Sequence, residues 1–158
     1  GGLPAAAVGG RKDFMDFLAP KGNVYQAGTL AGNPLAMQAG ITTLECVVKE
    51  SNFYQKLTAK ARVITEPVSD ALKQKNLSAC IQQVGGMFTL FWGVKKVESF
   101  NDLNHLNKVV FAKFFRFLLE RGVYISPSPF EACFVSMAHT QNNLEITRDL
   151  ILEFIKQC

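Results

Sequence analysis

The sequence is short of the residues that would make a metal, disulfide, nucleic-acid or membrane protein. It has only two histidines, His105 and His139, and neither stands at ligand spacing from a second histidine or a carboxylate, so both read as structural residues and no metal is expected. Its four cysteines, Cys46, Cys80, Cys133 and Cys158, form no C-x-x-C pair, which argues against a zinc site or a disulfide framework. They point instead to a reducing compartment, the cytoplasm. The net charge is +4, but Arg11-Lys12 and Lys95-Lys96 are the only adjacent basic pairs, so no stripe suited to a nucleic-acid backbone forms. No apolar run approaches the roughly 20 residues that a membrane span needs, and no signal-peptide pattern opens the chain. Internal repeats and low-complexity segments are also missing.

What is present is an ordinary globular composition. With 158 residues, 48% hydrophobic and 19% charged, the chain can bury one core but not two large ones. Its most unusual stretch is VYQAGTLAGNPLAMQAG, residues 24–40. A glycine-rich loop that runs into an Asn-Pro helix start leaves backbone N–H groups unpaired in front of the helix, a natural place for an anion. Taken alone, Thr29 in this loop reads first as a residue that closes its own turn through its hydroxyl.

Periodicity predicts a short strand over residues 5–8 and a helix over 11–18, ended by Pro20-Lys21-Gly22. Asn33 then caps a helix from Pro34 to about Lys49, whose apolar face carries Leu35, Ile41, Leu44 and Val48. A connecting helix follows over residues 51–75, capped by Ser51 and interrupted near Pro67. From residue 77 the pattern alternates. CIQQV and MFTLFW read as two strands around Gly85-Gly86, with Phe88, Leu90 and Trp92 on one face. A helix over residues 103–121 carries Leu106, Val109, Val110, Phe114, Phe117 and Leu118 and is ended by Gly122. Short strands over 123–125 and 133–137 flank the loop SPSPFEA, and Asn143 caps a last helix through Ile155. The order is close to βββαββα, an α+β layer domain with an antiparallel sheet and helices on one face. The chain therefore divides near residues 50–75, and a site built from both parts is expected in a cleft. Its opening, Gly-Gly-Leu-Pro running at once into AAAVGG, reads as a cut through the middle of a domain.

The run GGLPAAAVGGRKDFMDFLAPKGNVYQAGTLAGNPLAMQAG resembles the segment that follows the cofactor lysine in class III aminotransferase-like enzymes. These are fold type I enzymes that bind pyridoxal 5′-phosphate (PLP). Within the group, VYQAGTLAGNPLAM paired with SPSPFEACFVSMAHT is similar to the aminomutases, which move an amino group between neighbouring carbons of one substrate. The resemblance runs from Gly1 through the final helix. It implies that residues 1–50 end the large PLP-binding domain, 51–75 are the connecting helix and 76–158 are the C-terminal small α+β domain. It also implies a homodimer in which Gly28 and Thr29 contact the PLP phosphate of the partner subunit. Tyr25 and Gln26 precede this loop and read equally as its support from behind or as packing residues.

Glu131 is implied as the carboxylate that faces the substrate's amino groups, a task that suits an intermediate bearing two amines. Pro129 and Cys133 stand where relatives carry glutamine and glycine. Ser126 and Ser128 have no His-Asp constellation to activate them and read as turn residues beside prolines. The Schiff-base lysine of such enzymes is expected ahead of Gly1, which makes this chain by itself inactive. A class III ω-aminotransferase and a non-catalytic α+β interaction module are the alternative readings.

Overall fold

The computed structural model describes residues 2–158, and these form two compact units, residues 2–51 and 52–158.

In the first unit, local chemistry and missing partners shape the chain together. Residues 5–8 were expected to be a strand, but no strand pairs with them among the described residues, and a strand without a ladder leaves its backbone groups unsatisfied. The helix expected over 11–18 is reduced to one turn, α1 (Lys12–Met15). It stops because the chain folds back on itself, with the Val24 N–H donating to the Phe17 carbonyl at 2.8 Å and the Ala19 N–H to the Val24 carbonyl at 2.9 Å. Gly22 is required there, since a Cβ on it would lie 2.2 Å from the Phe17 carbonyl oxygen.

Helix α2 (Pro34–Lys49) begins as its sequence predicts. Pro34 is the first helical residue, and the Asn33 side chain accepts the Ala36 N–H at 3.1 Å. Its expected apolar face is not covered within this unit. Leu35, Ile41, Leu44 and Val48 are all more than half exposed, and only Ala36 is buried.

The second unit is built on α3 (Phe53–Gln74), β1 (Ala79–Val84), β2 (Met87–Trp92), α4 (Lys108–Leu119), β3 (Cys133–Phe134) and α5 (Gln141–Gln157). Asn52, in the left-handed region at φ 60°, takes the cap position of α3 that was expected of Ser51, and Pro67 lies inside the helix without ending it. This helix was expected to be a connector. Its Ala61, Ile64, Val68 and Leu72, at spacings of three and four, belong to the core of the unit and pack it on β1 and α5. The hydroxyl of buried Thr65 donates to Gln83 Oε1 on β1, which satisfies a polar group in that contact.

The hairpin forms as predicted. Gly85 turns the chain at φ 57°, and Ala79 with Trp92, Ile81 with Leu90 and Gln83 with Phe88 are directly opposed. β3 adds to β2 with Cys133 opposite Phe88, so the sheet is antiparallel in the order β1-β2-β3. The three helices pack on the face that carries Phe88, Leu90 and Trp92, which are all buried. Trp92, Phe114 and Phe154 meet there with ring centroids 5.2 to 5.5 Å apart, in tilted and edge-to-face arrangements. The architecture is thus the expected α+β layer with an antiparallel sheet and helices on one face.

Several boundaries differ from expectation for identifiable reasons. A 3₁₀ segment at Phe100–His105 precedes α4, which starts only after Asn107, whose side chain accepts the Val110 N–H at 3.0 Å. The later start sets the phase of the buried stripe to Phe111, Phe114 and Leu118 and leaves Val109 exposed. After Gly122, at φ 83°, the Val123 N–H bonds back to the Leu118 carbonyl at 2.9 Å, and residues 123–125 have no strand partner among the described residues. The strand expected over 133–137 keeps only its first two residues, because Ser136 and His139 form a turn. Thr140 caps α5, and Asn143 is the third helical residue that bonds back to it, not the cap itself.

Candidate functional site

Two loops carry the residues singled out in the sequence, one in each unit. In the first, two successive turns lead into α2. The Ala31 N–H donates to the Gly28 carbonyl at 2.9 Å, and the Asn33 N–H donates to the Leu30 carbonyl at 3.1 Å, with Gly32 at φ 71° between them. Thr29 is exposed in the first of these turns. Neither its N–H nor its hydroxyl has a hydrogen-bond partner among the described residues, so the self-closing turn does not form. Nothing lies within 4 Å of the position a Gly28 Cβ would take, which leaves the backbone there open to close approach. Tyr25 is 81% exposed, and Gln26 is exposed as well, so packing within this unit accounts for neither.

The second loop joins residue 125 to β3. The Ser126 hydroxyl donates to Glu131 Oε2, and the Glu131 N–H donates to the Ser128 carbonyl at 3.3 Å. The Ser128 hydroxyl accepts the Phe130 N–H at 3.3 Å. Both serines are therefore turn-forming residues, as their sequence context predicts. Lys108 Nζ lies 5.3 Å from the centroid of the Phe130 ring, a cation–π contact that ties the tip of the loop to α4. Glu131 itself is exposed, and its Oε1 has no partner among the described residues.

Beneath this loop is a cavity of about 240 Å³, lined by Ile64, Phe88, Ile125, Ser126, Cys133 and His139 among others. Burial pushes the Cys133 thiol up from its ordinary value, although a hydrogen bond from the Ser126 backbone opposes the shift. A raised value disfavours the thiolate, and Cys133 contributes to the wall of the cavity by packing. His139 accepts the Ser136 N–H on Nδ1 at 2.9 Å, and its carbonyl accepts Lys60 Nζ at 2.5 Å. It holds the turn that leads into α5. Among the described residues, no group of three or more His, Cys, Asp or Glu is placed to hold a metal ion, and no helix is long and apolar enough to cross a membrane.

The contact from Ser126 to Glu131 was not drawn from the sequence. Its signal is a serine five residues before a glutamate across two prolines, too common in loops to stand out in a sequence.

The chain is 46% identical over 157 residues to the glutamate-1-semialdehyde 2,1-aminomutase of Protochlamydia amoebophila, a match that covers 99% of this chain and 36% of that protein. It is 44% identical over 157 residues to the enzyme of that name from Sulfurihydrogenibium sp., with 99% and 36% covered. The chain thus spans little more than a third of the length of the curated relatives it matches. Among solved structures, the β-phenylalanine aminotransferase of Variovorax paradoxus matches with a TM-score of 0.76 at 20% identity, over 94% of this chain and 34% of that one. A glutamate-1-semialdehyde aminomutase from Pseudomonas aeruginosa matches with a TM-score of 0.71 at 20% identity, over 86% and 31%. At that identity the two structures establish the fold alone, the one that this part of the chain shares with them. The family model for class-III aminotransferases matches residues 1–157, taking in the Gly28-Thr29 turn and the Ser126–Glu131 loop alike, and the chain belongs to the class-III aminotransferase family.

Proposed function

We propose that the chain is part of a PLP-dependent glutamate-1-semialdehyde 2,1-aminomutase, which converts (S)-4-amino-5-oxopentanoate to 5-aminolevulinate for tetrapyrrole (porphyrin, haem) biosynthesis in the cytoplasm. The observation that carries this reading is the 46% identity to an aminomutase over 157 residues, across both loops. Residues 1–50 are then the end of the large cofactor-binding domain and 76–158 the small domain. Helix α3 leads from one to the other in sequence.

PLP is the cofactor of this family. When bound, it supplies an electron sink for bonds at the carbon that bears the amine. The first loop fits its phosphate. Thr29 offers a hydroxyl and an N–H with no acceptor among the described residues, beside a glycine open to close approach, in the turns that lead into α2. Such donors form charge-assisted hydrogen bonds to an anion, each worth about 1.5–3 kcal/mol. In a homodimer, Gly28 and Thr29 hold the phosphate bound by the partner subunit.

Glu131 faces the substrate. With Oε2 held by Ser126, Oε1 accepts a hydrogen bond from a protonated amine and retains the molecule while either of its two amines reacts. The resemblance puts the Schiff-base lysine in the part of such enzymes that this chain does not span, so the proposed activity is that of the intact protein and not of these residues alone.

The test is an assay of the intact protein on the semialdehyde with no second amino acceptor or donor. Complete turnover to 5-aminolevulinate is expected. A requirement for a second acceptor would show an ω-aminotransferase instead, and failure of the intact protein to bind PLP would show a non-catalytic module.

A further inference from the structure

We propose that Ser126 is a positioning residue that acts through Glu131, fixing the carboxylate in the direction from which it meets the substrate's amines. The proposal rests on the reading of Glu131 as the residue that faces the substrate, and it adds the group that holds it there.

Glu131 is exposed, and an exposed glutamate on a loop samples many rotamers. Among the described residues, the one side chain that bonds it is Ser126, whose hydroxyl donates to Oε2. That bond leaves Oε1 with no partner among the described residues. One oxygen is anchored and the other is presented.

Ser126 is itself well placed to act as an anchor. It is partly buried on the wall of the cavity and follows Ile125, which packs against the core. Cys133, at the start of β3, lines the same cavity, so both ends of the loop border it. Pro127 and Pro129 lie between serine and glutamate. Each fixes a φ angle, so the route from anchor to carboxylate has few alternative shapes. Phe130, next to Glu131, is held under Lys108 by the cation–π contact. Every element of the loop thus limits where Glu131 can go, and the Ser126 hydroxyl is the one that acts on the carboxylate directly.

A double-mutant cycle in the intact protein tests this, with kcat, KM and the fraction of diamine lost to solution per turnover as readouts. Ser126→Ala is expected to lower kcat roughly tenfold and to raise the lost fraction, as Glu131→Gln does, with KM little changed. Because the serine acts through the glutamate, Ser126→Ala in a Glu131→Gln background should cost little more. Ser126→Thr, which keeps the hydroxyl, should restore most of the loss.

Two outcomes overturn the proposal while sparing the role of Glu131. In one, Ser126→Ala matches the unmodified protein while Glu131→Gln is impaired. In the other, the two losses multiply. A drop in melting temperature and PLP content that Ser126→Ala causes equally in both backgrounds would show a structural role and also overturn it. If Glu131→Gln alone is silent in all three readouts, the assignment of Glu131 falls, and the proposal with it.

Discussion

Lys75, which ends α3, donates through its ammonium to the main-chain carbonyl of Ile155 at 3.0 Å and to that of Lys156 at 2.8 Å. The last carbonyls of a helix have no partner within it, and a cation there also meets the negative end of the helix dipole. The residue that caps α3 thereby closes the end of α5, the helix with which α3 makes the most extensive packing in the unit.

Lys75→Met keeps the aliphatic stem and removes the donor. Bonds to a charged group are worth about 1.5–3 kcal/mol when sheltered, but Lys75 is largely exposed, so about 1 kcal/mol of stability should be lost. The melting temperature should fall by about 2–4 °C. An unchanged melting temperature in Lys75→Met would mean that water replaces the ammonium at no cost.

Asp102 provides a pH dependence. Its Oδ2 accepts the N–H groups of Glu98 and Ser99, both at 2.8 Å, and these bonds, the Glu98 one foremost, hold the carboxyl below its ordinary value of 3.8. A depressed folded-state pKa adds stability that is complete above the unfolded value and is lost as pH falls through the folded one. Asp102→Asn should therefore destabilise the 3₁₀ segment at neutral pH, and its deficit should shrink as pH drops below about 4. Urea midpoints measured on both proteins across that range check this. A deficit that stays constant with pH would remove the carboxylate's charge from the explanation.

Thr29 bears on the cofactor. In the intact protein, Thr29→Ala should weaken PLP retention by about 1–3 kcal/mol, roughly 5- to 150-fold, and Thr29→Ser should be mild. Fold stability should hardly change, because the hydroxyl has no hydrogen-bond partner among the described residues. Equilibrium dialysis against PLP measures the change. Equal affinity in the alanine variant would show that the phosphate is held without Thr29.

The sequence by itself determined whatever depends on contacts within about four residues or on turn chemistry. The Asn33-Pro34 start of α2 and the Gly85-Gly86 hairpin with Phe88, Leu90 and Trp92 facing inward are both of this kind. So is the end of α4 before Gly122. The resemblance named Gly28, Thr29 and Glu131, but not the bonds around them. Only the tertiary structure decided that α3 belongs to the core, because an amphipathic helix looks the same whether its apolar stripe meets a sheet or another helix. Residues 5–8 and 123–125 have strand-like patterns but no strand partner among the described residues, since pairing needs a partner at long range and a pattern cannot supply one. The Leu35, Ile41, Leu44 and Val48 face of α2 is as apolar as its periodicity indicated, yet it is uncovered in its unit. The bond from Ser126 to Glu131 likewise exists only once Pro127 and Pro129 have bent the loop, for five residues of sequence do not state a direction.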